Sequence, residues 1–144
     1  MVRLVIVCHG SFADGLVNAM ELIAGPQPEI TTIALGEEDA IDGLEAQVEA
    51  AVAAQPEGEG VLVLVDLFGA SPFNVSARVA VRHPNVEVIT GVNLAMLLEA
   101  ALQREGCTLP ELAAIAREAG TGSVKVLSEL LGTGGQPATG QEGG

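Results

Sequence analysis

Two side chains able to do acid–base or nucleophilic chemistry each follow directly on an apolar run of the sequence. His9 follows the run RLVIVC at residues 3–8, and Asp66 follows the run VLVLV at residues 61–65. A carboxylate that accepts a hydrogen bond from one imidazole nitrogen fixes the tautomer and makes the other nitrogen a better nucleophile or base. If the two runs are neighbouring strands, the pair predicts a site that attacks phosphorus or takes up a proton.

The residues after Asp66 add an element that binds anions. Gly69, Ala70 and Ser71 precede Pro72, and we expect Ser71 to be the N-cap of a helix whose first residue is Pro72. The backbone N–H groups at a helix N-terminus bind anions, phosphate among them. A nucleophilic histidine, an orienting carboxylate and an anion-binding helix start together suggest a phosphohistidine.

Each candidate residue alone also has a purely structural interpretation. His9 is consistent with a hydrogen-bonded core histidine, Asp66 with a turn cap and Ser71 with a plain helix N-cap. Gly10 relieves backbone strain in a tight turn, and Asn93 is typical of a turn residue that also hydrogen-bonds neighbouring loops. The functional interpretation depends on whether the fold brings His9 and Asp66 together.

The elements that would position these residues alternate between strand and helix. Continuous β-branched runs and partial alternation predict strands, and apolar positions at helical spacing predict helices. The predicted strands are residues 3–8, 29–35, 61–65 and 86–90. Two predicted helices have an apolar stripe: residues 12–24, through Leu16, Ala19, Met20 and Ile23, and a second segment, through Ile41, Leu44, Val48 and Val52. The other predicted helices are a segment that Ser71 opens and residues 94–103 and 110–119.

This alternation implies an α/β fold with a doubly wound parallel sheet and helices on both of its faces. Four strands favour the flavodoxin-like order 2-1-3-4, in which ligands bind at the carboxyl ends of the first and third strands. Residues 123–127 read as a short strand or the start of a helix. We expect one domain over residues 1–131 and a disordered glycine-rich tail over residues 132–144.

Composition excludes several classes of partner. Six Lys and Arg against 19 Asp and Glu give a net charge of −13, which phosphate backbones repel, so we expect no nucleic-acid binding. No apolar run approaches the roughly 20 residues of a membrane-spanning helix. Cys8 and Cys107 have no metal-like spacing. We therefore expect a cytoplasmic protein without metal or cofactor.

Three motifs and their spacing carry a resemblance to a known family. They are VIVCHGSFADGL at residues 5–16, VLVLVDLFGASPFN at 61–74 and VITGVNLAMLLEA at 88–100. In them the chain resembles the EIIA component of the mannose family of the bacterial phosphoenolpyruvate:sugar phosphotransferase system, over about residues 2–130. The resemblance implies a phosphocarrier that receives a phosphoryl group from the carrier protein HPr. EIIB takes the group next, for a sugar entering through the membrane subunits EIIC and EIID.

The resemblance also implies residue roles. It assigns the phosphorylated nitrogen to Nε2 of His9, the orienting carboxylate to Asp66 and the oxyanion-binding segment to Gly69, Ala70 and Ser71. Gly10 and Asn93 would support the site. A homodimer that exchanges a C-terminal strand is implied as well, and residues 123–127 match that strand. Because the chain ends after its glycine-rich tail, we expect EIIB to be a separate chain.

The chain departs from the family pattern near the carboxylate. Leu67 and Phe68 stand where relatives often have Thr and Trp, and Ala70 stands where Gly is common. A backbone donor at position 70 survives the change to Ala. We therefore expect these departures to alter partner contacts or phosphoryl stability and to leave the function in place.

Four alternatives remain open on the sequence alone. A related branch of the family donates phosphate to a dihydroxyacetone kinase. A histidine phosphatase or mutase has an RHG motif, but Cys8 stands here in place of its Arg. A serine hydrolase would use Ser71, His9 and Asp66, although GASPF lacks the last glycine of the GxSxG elbow. A non-catalytic regulatory domain would tolerate replacement of His9.

Overall fold

The computed structural model describes residues 1–37, 39–56 and 58–132 of the chain. Of the tail predicted to be disordered, residues 133–144 lie outside the described residues. Gly132, the first residue of that predicted tail, is the last residue of a helix. None of the helices in the described part of the chain is both long and apolar enough to cross a membrane.

The sheet has four parallel strands in the order β2-β1-β3-β4, which confirms the predicted topology. The strands are β1 at Arg3–His9, β2 at Ile30–Leu35, β3 at Val61–Val65 and β4 at Val86–Ile89. The two inner strands are covered on both faces and are almost wholly apolar, as is typical of buried parallel strands. β2 and β4 are the edge strands.

In the part of the chain that the structure describes, six helices connect and flank these strands. They are α1 at Phe12–Ala24, α2 at Ile41–Ala53, α3 at Ser71–Arg82, α4 at Leu94–Gln103, α5 at Leu109–Gly122 and α6 at Leu127–Gly132. Because side chains alternate between the faces of a strand, the sheet divides the core in two. Leu4, Ile6 and Cys8 pack with α1, α4 and α5 on one face. Val5 and Val7 pack with α2 and α3 on the other.

Two of the apolar positions predicted for the helices are exposed, and a third, Ala19, is only half-buried. Ile23 is 51% exposed and Ile41 is 41% exposed, whereas Leu16, Met20, Leu44, Val48 and Val52 are buried as expected. Ile23 lies in the last turn of α1, and Ile41 is the first residue of α2. At these helix ends the apolar face extends past the residues that it packs against. Periodicity alone therefore overestimates the length of the helix face that is buried.

The start of α3 differs from the prediction. Ala70, with an extended backbone, is the N-cap, and Ser71 is the first helical residue with no side-chain capping bond. The reason lies in the backbone, because the carbonyl of Ala70 already accepts the first helical hydrogen bond, from Asn74 N at 2.9 Å. The predicted role of Ser71 as N-cap is therefore wrong.

Residues 123–127, predicted as a short strand or the start of a helix, form neither structure over most of their length. Residues 124–126 have no regular secondary structure, and α6 begins only at Leu127. Val124, Val126 and Leu127 are exposed. Within one chain, the segment leaves its apolar side chains in solvent.

A buried arginine that sequence patterns did not indicate ties the amino edge of the sheet together. Arg104, at the end of α4, is 1% exposed. Its guanidinium donates to the backbone carbonyls of Val2, Pro28 and Glu29, the last at 3.0 Å. Burial, with a smaller contribution from the nearby charge of Arg3, lowers the pKa of Arg104 below its ordinary value. The three carbonyls accept its hydrogen bonds, and the charges of Glu29 and Glu105 oppose the lowering of its pKa.

We predict that Arg104→Met lowers the free energy of unfolding by about 2–4 kcal/mol, because it removes the hydrogen bonds that a buried, charged side chain donates to three backbone carbonyls. Urea unfolding followed by circular dichroism measures the change. Arg78→Met is the matched control, since Arg78 forms an exposed ion pair with Glu45 and such pairs contribute little. Equal effects of the two substitutions would contradict the assigned role of Arg104.

Candidate functional site

The parallel pairing of β1 with β3 brings His9 and Asp66 together. Val7 lies opposite Val65 in the register, His9 ends β1 and Asp66 follows β3 directly. Nδ1 of His9 is 2.8 Å from Oδ2 of Asp66. The backbone N–H of His9 donates to the same carboxylate oxygen, also at 2.8 Å. The predicted juxtaposition of the two residues is confirmed.

This pairing determines which nitrogen of His9 is available for reaction. An ionised carboxylate accepts hydrogen bonds only, so Nδ1 carries the proton and Nε2 keeps its lone pair. No hydrogen bond to Nε2 is present among the described residues. The imidazole is half exposed, whereas the Asp66 side chain is only 15% exposed. A partly sheltered carboxylate therefore orients a ring that an incoming group can reach.

Asp66 is held in its charged form despite its burial. Burial raises the pKa of this carboxyl, but hydrogen bonds from the backbone and ring of His9, with the charge of His9, outweigh burial. The pKa of Asp66 therefore lies below its ordinary value. The carboxylate is ionised at neutral pH, as the tautomer assignment requires.

Cys8, beside His9 in the sequence, is not a second nucleophile. Burial, and to a lesser extent the negative charge of Asp66, raises the pKa of its thiol to about 12. The thiolate is the reactive form of cysteine, so a thiol with this pKa is inert at neutral pH. Cys8 acts as a small buried apolar residue of the core.

Gly10 shapes the turn that leaves the histidine exposed. Its φ is +54°, in the left-handed region that favours glycine. Its N–H donates to the carbonyl of Leu35 at 2.9 Å, which anchors the turn to the end of β2. This geometry supports the predicted supporting role of Gly10.

The loop after Asp66 ends at the N-terminus of α3, at the same edge of the sheet. Gly69 has a φ of +85°, and Ala70 N–H makes a long hydrogen bond of 3.3 Å to Leu67 O. Among the described residues, the N–H groups of Gly69 and Ser71 have no hydrogen-bond acceptor. Unpaired N–H groups of this kind are what an anion at a helix N-terminus uses.

Asn93 lies at the end of the neighbouring strand but contacts neither His9 nor Asp66. Its Oδ1 accepts from Met96 N at 2.9 Å and caps α4. Its Nδ2 donates to Gly120 O at 3.1 Å and ties α4 to α5. The hydrogen bonds of Asn93 are thus structural, in line with its interpretation as a loop-bonding residue.

Sequence reasoning singled out Leu67 and Phe68 only as departures from the family pattern, and it did not identify an apolar rim of the site. Phe12, Leu67 and Phe68 are 47%, 62% and 74% exposed, and they follow His9 and Asp66 closely along the chain. Large exposed apolar side chains near a reactive group are typical of protein–protein contact surfaces. Their position directly after the two site residues is a signal that the sequence already contained.

The described residues contain no cluster of three or more His, Cys, Asp or Glu side chains able to hold a metal ion.

Fold and site together define a doubly wound parallel α/β domain that presents a carboxylate-oriented histidine at the carboxyl edge of its sheet. Residues 3–117 match the EIIA-man family, described as the PTS system fructose IIA component. The chain belongs to this family of phosphotransferase-system EIIA components, and the resemblance inferred from the three motifs is confirmed.

Individual relatives agree with the family assignment. The chain is 35% identical over 127 residues to the PTS system mannose-specific EIIAB component of Escherichia coli, covering 88% of this chain and 39% of that protein. It thus spans about two fifths of the length of that relative. It is 30% identical over 131 residues to the PTS system fructose-specific EIIA component of Bacillus subtilis, covering 91% and 90%.

The fold agrees as well. The crystal structure of phosphotransferase system component EIIA from Streptococcus agalactiae superimposes with a TM-score of 0.84 at 30% identity, covering 90% of this chain and 99% of that one.

We predict that the His9–Asp66 pair contributes to stability only while Asp66 is ionised. Because the folded pKa of Asp66 is lowered, its contribution is present above the unfolded pKa of about 4 and is lost as the pH falls through the folded value. The difference in free energy of unfolding between the native chain and Asp66→Asn should therefore shrink as the pH falls from about 5 to about 3. Urea titrations across this range measure it, and a constant difference would contradict the assignment.

Proposed function

We propose that this chain is a cytoplasmic phosphoryl carrier of a sugar phosphotransferase system and that His9 carries the phosphoryl group on Nε2. The observation that supports this most directly is the 2.8 Å contact between Nδ1 of His9 and Asp66. It leaves Nε2 as the nucleophilic nitrogen on a half-exposed ring. Membership of the EIIA-man family supports the same role.

The transfer step follows from this tautomer. The lone pair of Nε2 attacks phosphorus on the donor phosphohistidine, the new N–P bond forms and the donor's N–P bond breaks. The electron pair of the broken bond returns to the donor imidazole. No proton has to leave His9, because Nδ1–H stays bonded to Asp66. The carboxylate stabilises the positive charge that develops on the ring.

We assign the phosphoryl oxygens to the segment Gly69, Ala70 and Ser71. Its backbone N–H groups lie at the N-terminus of α3, where the helix dipole favours negative charge. Phosphoryl-transfer enzymes generally place an Arg or Lys side chain against the transferring group. Here Arg78 and Arg82 instead pair with carboxylates of α2. Binding by backbone dipoles alone keeps the phosphoryl group easy to release.

The partners that fit this role are HPr as phosphoryl donor and EIIB as phosphoryl acceptor. The membrane subunits EIIC and EIID act after EIIB. Relatives are named for mannose, fructose and sorbose, and the sugar is a property of the membrane subunits. Offering the phosphorylated chain to a sugar EIIB and to a dihydroxyacetone kinase subunit separates the two branches of the family.

Two of the alternative enzymes are disfavoured by the geometry. A phosphatase or mutase would need a second histidine, but His83 lies at the opposite end of α3 from the site and pairs with Glu49. A serine hydrolase would need a hydrogen bond between Ser71 and His9. The described residues contain no such bond.

We predict that incubation with phosphoenolpyruvate, enzyme I and HPr adds one acid-labile phosphoryl group to the native chain and none to His9→Ala. His83→Ala is the matched control and should gain the group normally. Intact mass spectrometry measures the gain. Asp66→Asn should slow transfer by about a hundredfold or more, because its amide donates to Nδ1 and leaves the proton on Nε2. Phosphorylation of His9→Ala would contradict the assignment.

We also propose that the chain forms a homodimer by exchanging residues 123–127. Val124 and Val126 are exposed apolar side chains on the irregular segment after α5. β4 is an edge strand with open pairing capacity. A groove of about 760 Å³ lies beside it, lined among others by Val88, Ile89 and Val124. A second copy that adds its segment to β4 would cover both features symmetrically.

We predict that Val126→Glu shifts the chain from dimer to monomer, because the exchanged segment would place a charge against an apolar groove. Light scattering coupled to size-exclusion chromatography measures the mass in solution. Val81→Glu is the control, since Val81 is 88% exposed on α3. A native chain that is monomeric at all concentrations would contradict the dimer.

A further inference from the structure

Asn74, in the first turn of α3, contacts the loop after Asp66 twice. Its side-chain Nδ2 donates to the carbonyl oxygen of Gly69 at 3.0 Å. Its backbone N–H donates to the carbonyl oxygen of Ala70 at 2.9 Å. One residue therefore holds two consecutive carbonyls of the segment to which the phosphoryl oxygens are assigned.

These two bonds also determine where the N–H groups of the same peptides point. In a planar trans peptide, the N–H is antiparallel to the preceding C=O. With the carbonyls of Gly69 and Ala70 turned toward the helix, the N–H of Ala70 points back into the loop, where it donates to Leu67 O at 3.3 Å. The N–H of Ser71, which has no acceptor among the described residues, points off the end of α3 at the edge of the sheet that carries His9.

The side-chain bond matters most at Gly69. This residue has a φ of +85°, and a glycine has few steric limits that would hold its peptide in one orientation. The backbone bond from Asn74 to Ala70 would persist in any variant at position 74. The bond to Gly69 depends on the amide side chain alone, so substitution of Asn74 isolates the orientation of the peptide between Gly69 and Ala70.

We propose that Asn74 is a positioning residue of the phosphohistidine site, which holds the peptide between Gly69 and Ala70 so that the free backbone donors on either side of it, those of Gly69 and Ser71, are in place before the phosphoryl group arrives. This inference rests on the proposed function of His9. Donors that are already oriented need no rearrangement when charge develops on the phosphoryl oxygens, and this preorganisation lowers the barrier to transfer. Asn74 contacts neither His9 nor Asp66 and acts only through the loop.

The test compares Asn74 with a second asparagine that makes the same kind of bond elsewhere. Asn85 donates from Nδ2 to the carbonyl of Glu59 at 2.7 Å, and it lies just before β4, at the opposite edge of the sheet. The variants are Asn74→Ala, Asn74→Asp, Asn85→Ala and Asn85→Asp. The aspartate variants keep the shape of the side chain and remove its N–H donors.

Phosphoryl transfer from phosphorylated HPr is measured at increasing donor concentration. We expect both Asn74 variants to lower the maximal transfer rate constant by about tenfold to a hundredfold, with the half-saturating HPr concentration unchanged. Both Asn85 variants should transfer at the native rate. If Asn74 only stabilised the fold, its variants would not lower the rate constant while leaving the half-saturating HPr concentration unchanged.

Amide NMR gives a second readout that does not depend on rate. On phosphorylation, the amide resonances of Gly69 and Ser71 should shift in the native chain and shift less in Asn74→Asp. Native transfer rates with native amide shifts in the Asn74 variants would overturn the inference, and so would an equal loss in the Asn85 variants. If the native chain gains no phosphoryl group from charged HPr, the proposed function itself fails and the inference fails with it.

Discussion

One oxygen of the Asp66 carboxylate accepts hydrogen bonds from both the backbone and the ring of His9, and the site depends on this shared acceptor. The two residues are far apart in the sequence, so only the pairing of β1 with β3 can bring them together. Because the strands are parallel, both residues leave the sheet at the same edge. The parallel register of β1 and β3 thus places His9 beside Asp66.

The charge distribution around His9 suits a phosphoryl group that is passed on after it has been accepted. The Asp66 carboxylate holds the ring by one oxygen, and burial and hydrogen bonding oppose each other in setting its pKa. Arg104 is engaged with backbone carbonyls and Arg82 with acidic residues of α2. A site of backbone dipoles and one carboxylate stabilises a phosphoryl group less than a cluster of guanidinium groups would. This difference fits a carrier better than a phosphatase.

Sequence patterns indicated the sheet order and the His9–Asp66 pair because both follow from apolar runs and parallel topology. They failed where the outcome depends on local backbone geometry or distant contacts. Ser71 has the residue type of an N-cap, but the extended Ala70 takes that position. Ile23 continues the apolar spacing of α1 past the end of its packing partners. The acceptors of Arg104 lie 75 to 102 residues away in the chain, and no local signal marks them.

The departures from the family pattern can be interpreted from their positions. Ala70 takes part in the loop through its N–H and carbonyl, so its methyl group leaves those contacts intact. Leu67 and Phe68 are exposed, and the ring centroid of Phe68 lies 5.0 Å from that of Phe73 on α3. Phe68 also lines the groove beside β4, so the loop after Asp66 and that groove share a wall. These substitutions therefore change the surface that partners meet, while the atoms that orient His9 stay the same.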